Sequence, residues 1–173
     1  LDDVRIVEAQ PCYVPGHTAT ISEVAREGLY LSNNTGFSYE AIFSFYQMCL
    51  AEGYPQFYVI NSEDRAVGWY DIVPRGRTGR KVGYIGLGLR ADYRDRGIGT
   101  RMMLHAIEHA PGYGFTELRL ECRASNKRAL HVYEKLGFHR IGYKRSGLIL
   151  DGEKIPVVYM KRKLDCKRKE HDD

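Results

Sequence analysis

Apolar residues recur along this chain with two periods, and the element changes wherever the period does. Val4 to Ala9 is a short apolar-rich run that reads as an opening strand. Ala19 to Leu31 and Ser38 to Glu52 read as helices. In the second, Ala41, Ile42, Phe45, Met48 and Cys49 keep helical spacing, Ser38 suits an N-cap and Gly53 a stop. Phe57 to Ile60 and Ala66 to Val73 read as a strand pair across the polar turn Asn61 to Arg65. Pro74 to Lys81 is a basic loop. Val82 to Leu89 mixes apolar residues with glycine, which predicts a buried strand whose backbone is closely approached. After the loop Arg90 to Arg96, a helix begins near Gly97 and stops at Ala110-Pro111-Gly112. Glu117 to Cys122 is a strand. Asn126 to Leu136 is a helix, capped by Ser125 or Asn126 and ended by Gly137. Phe138 to Leu150 and Ile155 to Lys163 close the chain as an antiparallel pair across Asp151-Gly152.

The resulting order, β α α β β β α β α β β, predicts an α/β fold with a mixed sheet and helices on both faces. Its 173 residues suit one domain spanning the whole chain, with no repeat, low-complexity stretch or linker. Hydrophobic residues at 43% and charged residues at 28% are ordinary for a soluble globular protein. Net charge of +4 is too mild for a nucleic-acid-binding composition but suits an anionic small ligand in one basic site. The basic run Lys161, Arg162, Lys163, Lys167, Arg168 and Lys169 reads as a solvated terminus. Cys12, Cys49, Cys122 and Cys166 form no Cys-x-x-Cys pair, which suits reduced thiols in a cytoplasm. No membrane span or signal pattern is visible. The chain opens on Leu1 rather than Met, so a removed leader stays open.

The sharpest local feature is Arg94-Asp95-Arg96-Gly97-Ile98-Gly99-Thr100, between a strand and a helix. The first N–H groups of a helix lack intrahelical partners and carry the positive end of the helix dipole, so phosphate is favoured there. Gly97 and Gly99 let a diphosphate reach the backbone, and Arg94, Arg96 and Arg101 add positive charge. A Rossmann fingerprint fails because Gly86-x-Gly88 lacks its third glycine, and no Gly-Lys-Ser/Thr P-loop exists.

Arg94-x-x-Gly97-x-Gly99 resembles the pyrophosphate signature of the GNAT N-acetyltransferase superfamily. Asn126-x-x-Ala129-x-x-x-Tyr133-x-x-x-Gly137-Phe138 is similar to that superfamily's second coenzyme motif. With the strand before them, the motifs span about 82–138. The resemblance implies the GNAT fold, single-domain with a mostly antiparallel sheet, and acetyl-CoA as cosubstrate with no metal. It implies that Leu87, Gly88 and Leu89 hold the pantetheine arm by backbone bonds, with an N–H near Leu89 polarising the thioester carbonyl. It places the diphosphate on the N–H groups of Arg96, Gly97, Ile98, Gly99 and Thr100. Asn126 would bond the pantetheine arm, with Ala129 and Tyr133 on the same helix, and Lys127 or Arg128 would meet the adenosine phosphate.

Acetyl transfer to an amine needs a deprotonated nucleophile, a stabilised oxyanion and a proton for the departing thiolate. The resemblance makes Tyr133 the general acid. Glu121, in a stretch resembling the branch that acetylates protein N-termini, is the candidate base, with ordered water as the alternative. Three rivals stay open. His105-x-x-Glu108-His109 matches a zinc-peptidase pattern, although its histidines border an apolar helix face. A non-catalytic acetyl-CoA sensor is another. Nucleic-acid binding through Arg75, Arg77, Arg80 and Lys81 lacks interleaved aromatics. The acceptor region is expected at about 18–54 and 150–155. Tyr30, Phe37, Tyr39 and Tyr54 are candidate pocket residues there, Phe43, Phe45 and Tyr46 read rather as helix packing, and Glu23, Glu27 and Glu40 are candidate lures for a cationic amine. A small-molecule amine or a protein N-terminus both fit as acceptor. No membrane or nucleic-acid partner is expected, and a homodimer stays open because the superfamily often forms one.

Overall fold

The computed structural model describes residues 3–76 and 81–165. Arg77, Arg80, Cys166, Lys167, Arg168 and Lys169 lie outside the described residues. Seven strands form one sheet: β1 (Arg5–Glu8), β2 (Gln56–Ile60), β3 (Ala66–Val73), β4 (Val82–Leu89), β5 (Glu117–Arg123), β6 (His139–Leu150) and β7 (Glu153–Lys163), in the order β1-β2-β3-β4-β5-β7-β6. Every pairing is antiparallel except β4 with β5, which is parallel. The expected mixed, mostly antiparallel α/β sheet is therefore the observed one.

Four α-helices cover it: α1 (Val14–Arg26), α2 (Tyr39–Glu52), α3 (Ile98–His109) and α4 (Lys127–Lys135). The strand side-chain alternation sends two core layers to opposite faces. On one face, Ile98, Met102 and Met103 of α3 and Leu130 of α4 pack on Tyr70, Ile72, Ile85, Leu118 and Met160. On the other, Val24 of α1 packs on Tyr58, Ile60 and Trp69, while Ile42 and Tyr46 of α2 pack on Val14 of α1. No described helix is long and apolar enough to cross a membrane.

The first helix differs from the sequence expectation. It runs from Val14 to Arg26 rather than from Ala19 to Leu31. Pro15 sits in the first turn, where its missing N–H costs nothing, behind a 3-10 turn at Pro11–Tyr13. Gly28 then takes a left-handed φ of 70° and ends the helical path. Residues 27–38 form a loop instead, fastened by Ser22 Oγ, which accepts from the Phe37 N–H at 2.9 Å. In α2 the predicted cap and stop are both present: Ser38 accepts from the Ala41 N–H, and Gly53 is left-handed at φ 71°.

Gly83 marks a tight point at the start of β4. A Cβ there would lie 2.4 Å from Ile72 Cγ2 and 2.9 Å from the Phe115 ring. Gly83→Ala should therefore cost about 1–3 kcal/mol by overpacking. Urea denaturation checks this, and an unchanged midpoint would contradict the close packing at the start of β4.

Candidate active site

β4 and β5 pair at only three positions, Val82 with Glu117, Gly83 with Leu118 and Tyr84 with Arg119. Beyond them β4 stays with β3 as far as Leu89, and β5 stays with β7 as far as Arg123. The two strands splay apart. The Arg90 N–H donates to the Val67 carbonyl at 2.9 Å, so Arg90, Gly88 and Gly86 are the hydrogen-bonded pairs of the β3–β4 ladder. Leu87 and Leu89, alternating with them, direct their backbone groups into the splay. An extended ligand lying there would meet a strand edge.

The chain leaving β4 turns into α3 through two left-handed residues, Asp95 at φ 62° and Gly97 at φ 75°. Gly97 is the N-cap of α3 and supplies no side-chain cap, so the first-turn N–H groups remain available to an anion. A Cβ on Gly97 or Gly99 would have nothing within 4 Å, which leaves room for a ligand above the turn.

Arg94 does not aim at that room. Its guanidinium makes two bonds to the Glu27 carboxylate, at 2.7 and 2.8 Å, and lies 4.6 Å from the Tyr30 ring centre. Its Nε donates to the Leu89 carbonyl at 2.9 Å. The Glu27 carboxylate, bonded to it, holds the Arg94 pKa above its ordinary value. Arg96 lies over the Tyr93 ring, and Arg101 donates to the Val4 carbonyl. These arginines are thus engaged in building the turn, while the first-turn N–H groups of α3 have no side-chain cap.

α4 forms the opposite wall. Asn126 caps it by accepting from the Ala129 N–H at 3.3 Å, which leaves the amide NH₂ as a donor. Tyr133, half-buried, faces the same space. Burial, with a smaller contribution from Cys122, raises the phenol well above its usual range and so keeps it protonated. Arg128 is drawn toward Asp95 at 2.9 Å. Leu87, Gly88, Leu89, Arg94, Gly97, Gly99, Thr100, Asn126, Ala129 and Tyr133 all line one cleft of 580 Å³. Leu29, Tyr30 and Leu31 of the α1–α2 loop complete it. The Ile98 side chain is buried in the core beneath, so only its backbone can serve a ligand.

Comparison with known proteins joins this geometry to a family. The pattern of the acetyltransferase (GNAT) family matches residues 20–138. The chain belongs to the GNAT family. It is 38% identical over 55 residues to the [Ribosomal protein bS18]-alanine N-acetyltransferase of Escherichia coli (strain K12), a match covering 32% of this chain and 37% of that protein. Over 97 residues it is 36% identical to N-alpha-acetyltransferase 30 of Schizosaccharomyces pombe, covering 53% of this chain and 62% of that one. The chain therefore spans less than two thirds of either relative. In fold it is similar to a GNAT superfamily phosphinothricin acetyltransferase of Sinorhizobium meliloti solved in complex with AcCoA. The TM-score is 0.85 at 17% identity, over 94% of this chain and 89% of that one.

Other residues of this GNAT chain sit apart from the cleft. Glu121 lies on the face of the sheet that carries α1 and α2, half-exposed, and bonds Arg75 at 3.2 Å. Arg75 also lies 4.8 Å from the Tyr84 ring centre, so this member of the basic loop is turned onto the sheet. His105 and His109 stack at 3.8 Å between ring centres, His105 Nδ1 pairs with the Tyr70 hydroxyl at 2.7 Å, and His109 Nδ1 bonds the His105 carbonyl. Burial, with help from His109, lowers the His105 pKa. Both rings are engaged as packing groups, and no set of three metal-ligating side chains gathers among the described residues. Glu27 and Glu23 face Arg94 and Arg90, so they serve as partners of arginine rather than as lures for an amine. Phe37 and Phe43 pack with Tyr46 in the α1–α2 core, while Tyr30 reaches the cleft.

Two residues escaped the sequence pattern. Arg123 ends β5 buried, and its guanidinium donates to the Gly28 carbonyl at 2.6 Å and to the Leu31 carbonyl, which fixes the loop over the cleft. Asp71 sits in β3 opposite Gly86. Neither lies in a motif; each acquires its surroundings from chain segments far away in sequence.

Arg94→Lys should lower stability by about 1–2 kcal/mol, because an ammonium cannot reproduce the forked bond to Glu27 together with the bond to Leu89. It should also weaken coenzyme A binding by loosening the turn. Thermal unfolding and titration calorimetry check both, and an unaltered protein by both measures would contradict an anchoring role.

Proposed function

We propose that this chain is an acetyl-CoA-dependent N-acetyltransferase that moves acetyl to a primary amine by direct attack in a ternary complex. One observation carries the reading. The splayed edge at Leu87 and Leu89, the uncapped start of α3 and the Tyr133 hydroxyl all border a single 580 Å³ cleft. That combination fits a ligand with a diphosphate at one end, an amide-bearing arm in the middle and a reactive group beyond it.

In this reading acetyl-CoA supplies the activated thioester. Backbone N–H groups of Gly97, Ile98, Gly99 and Thr100 take the diphosphate, with Arg94 and Arg96 shaping the turn. Asn126 offers its amide NH₂ to the arm, and Ala129, being small, leaves room for it. Lys127 and Arg128 are the candidate partners of the adenosine phosphate. An N–H at Leu87 or Leu89 stabilises the oxyanion of the carbonyl under attack. Glu121, reached through water, takes the amine proton. Tyr133, kept protonated by burial, gives its proton to the departing thiolate. The acceptor reaches this point past the α1–α2 loop and the β6–β7 hairpin, which Asn34 Nδ2 ties together by donating to Asp151 at 2.7 Å. The relatives' names point to protein N-termini among the amines to try, beside small-molecule amines. The engaged histidines favour this reading over a zinc peptidase, and the pair Glu121 and Tyr133 favours turnover over sensing. A cytoplasmic setting and a homodimer remain part of the proposal.

Tyr133→Phe should lower kcat by about 10²- to 10³-fold, with coenzyme A affinity nearly unchanged. Thiol release from acetyl-CoA, measured against peptides, amino acids and polyamines, checks this. Unchanged turnover removes Tyr133 from the acid role. Calorimetry showing no coenzyme A binding by the folded wild type would overturn the whole assignment. Glu121→Gln should alter the pH profile of kcat/KM, and an identical profile would leave ordered water as the base.

A further inference from the structure

The α1/α2 face of β4 carries three side-chain positions near the splay, Tyr84, Gly86 and Gly88. Tyr84 fills its own space and supports Arg75. The space over Gly88 is taken by the Trp69 indole, whose carbons would stand 2.1 and 2.6 Å from a Cβ. Over Gly86 the three nearest atoms to a Cβ all belong to the Asp71 carboxyl group, its Oδ1 at 3.4 Å. At Gly86, alone of the three, a Cβ would meet nothing within 4 Å except the Asp71 carboxyl group. Asp71 bounds this gap on the β3 side, and Glu121 lies beyond the splay on the same face of β5, two residues past the last β4–β5 pair, Tyr84 with Arg119. Leu87, with its backbone turned into the splay, is the next residue along.

The charges here are unequal. Arg75 is bonded to Glu121, whereas Asp71 makes no hydrogen bond or ion pair among the described residues. Beside Asp71, its cross-strand partner Gln56 is 5% exposed with both side-chain polar atoms unpartnered, and the buried Tyr58 hydroxyl is unpartnered as well. A carboxylate held among unsatisfied donors and acceptors, beside a glycine and with Arg75 acting on it only at a distance, lacks a bonded counterion. Burial pushes the Asp71 pKa up to about 7, against the pull of Arg75, as expected of a carboxylate with no tight partner.

We propose that the acceptor amine docks as an ammonium ion over Gly86, with Asp71 as its counterion, between the rings of Trp69 and Tyr84, before Glu121 deprotonates it. Asp71 is in this role a specificity-determining residue for cationic primary amines, and the inference rests on the transferase reading above. The ammonium supplies the missing charge and meets an aromatic wall that favours cations. The groups whose charges bear on Asp71 are Arg75 beyond β3, Cys49 of α2 and Tyr58 of β2, with Glu121 of β5 across the gap. Because the cysteine and the tyrosine stay neutral, raised by burial, acid-side loss of amine affinity should follow Asp71 itself.

The test uses the full chain with coenzyme A bound, and propylamine and an alanine-initiated tripeptide amide as probes. Carboxyl NMR of Asp71 should show it titrating near 7 in the free protein and clearly lower when either probe is added. Asp71→Asn should raise the KM of a probe that turns over by about ten- to hundredfold, with kcat at saturation and coenzyme A affinity little changed. Gly86→Ala, which meets only ordinary contacts, should raise the same KM by filling the gap. Folding is checked separately. A carboxyl of pKa about 7 in the folded chain and 3.8 when unfolded costs stability as pH rises from 4 to 7, so Asp71→Asn should unfold at a higher temperature than wild type at pH 8 and not at pH 4. An Asp71 titration that neither probe moves, or an unchanged KM in Asp71→Asn, overturns this docking site while leaving the transferase reading intact. Failure of coenzyme A to bind the wild type sinks that reading instead.

Discussion

Each of the two central strands is held more strongly by its outer neighbour than by the other. β4 is locked to β3 through Leu89, and β5 to β7 through Arg123, while the parallel ladder between them lasts only from Val82 to Tyr84. Past that point a sheet that twists cannot satisfy both outer pairings and the central one. The rupture leaves the Leu87 and Leu89 backbone without a neighbouring strand on the cleft side, and of these groups the Leu89 carbonyl is taken up by Arg94. That edge, the start of α3 and the start of α4 border the same cleft.

Three arginines show how the fold uses positive charge. Arg94 ties the end of α1 to the end of β4, Arg123 ties the end of β5 to the α1–α2 loop, and Arg75 ties the end of β3 to β5. Each bridges segments distant in sequence, and each is partnered by a carboxylate or by carbonyls. Their work is geometric. The start of α3 instead presents main-chain N–H groups with no side-chain cap, whose direction is fixed by the backbone and needs no ordering of a flexible side chain.

The two faces of the sheet divide the chemistry. Apolar packing of α3 and α4 gives their side of the sheet a firm support, with Tyr133 held neutral at its rim. The face under α1 and α2 is less settled, with Gln56, Tyr58 and His17 carrying buried polar atoms that find no partner. Stability alone would favour apolar residues at such positions. Two of them neighbour Asp71, Gln56 as its cross-strand partner and Tyr58 on the same face of β2.

Local sequence determined what depends on near neighbours. The alternation in Glu117–Cys122, the Ser38 cap, the Gly53 stop and the glycine turn before α3 all act over a few residues, and each is found where expected. The pairing of Gly97-x-Gly99 with Asn126 and Tyr133 was legible for the same reason, as two short motifs on two helices. The start of α1 lies outside the sequence pattern because Pro15, a helix breaker in a helix interior, is tolerated in its first turn, and its end because Gly28 turns the chain. Only the tertiary structure decided that Arg94 belongs to Glu27, that Glu121 is held by Arg75, and that Asp71 looks onto a glycine fifteen residues away. Those relations are set by strand register and by which strand pulls harder on its neighbour, quantities that arise from the whole sheet and have no signature in any single stretch of chain.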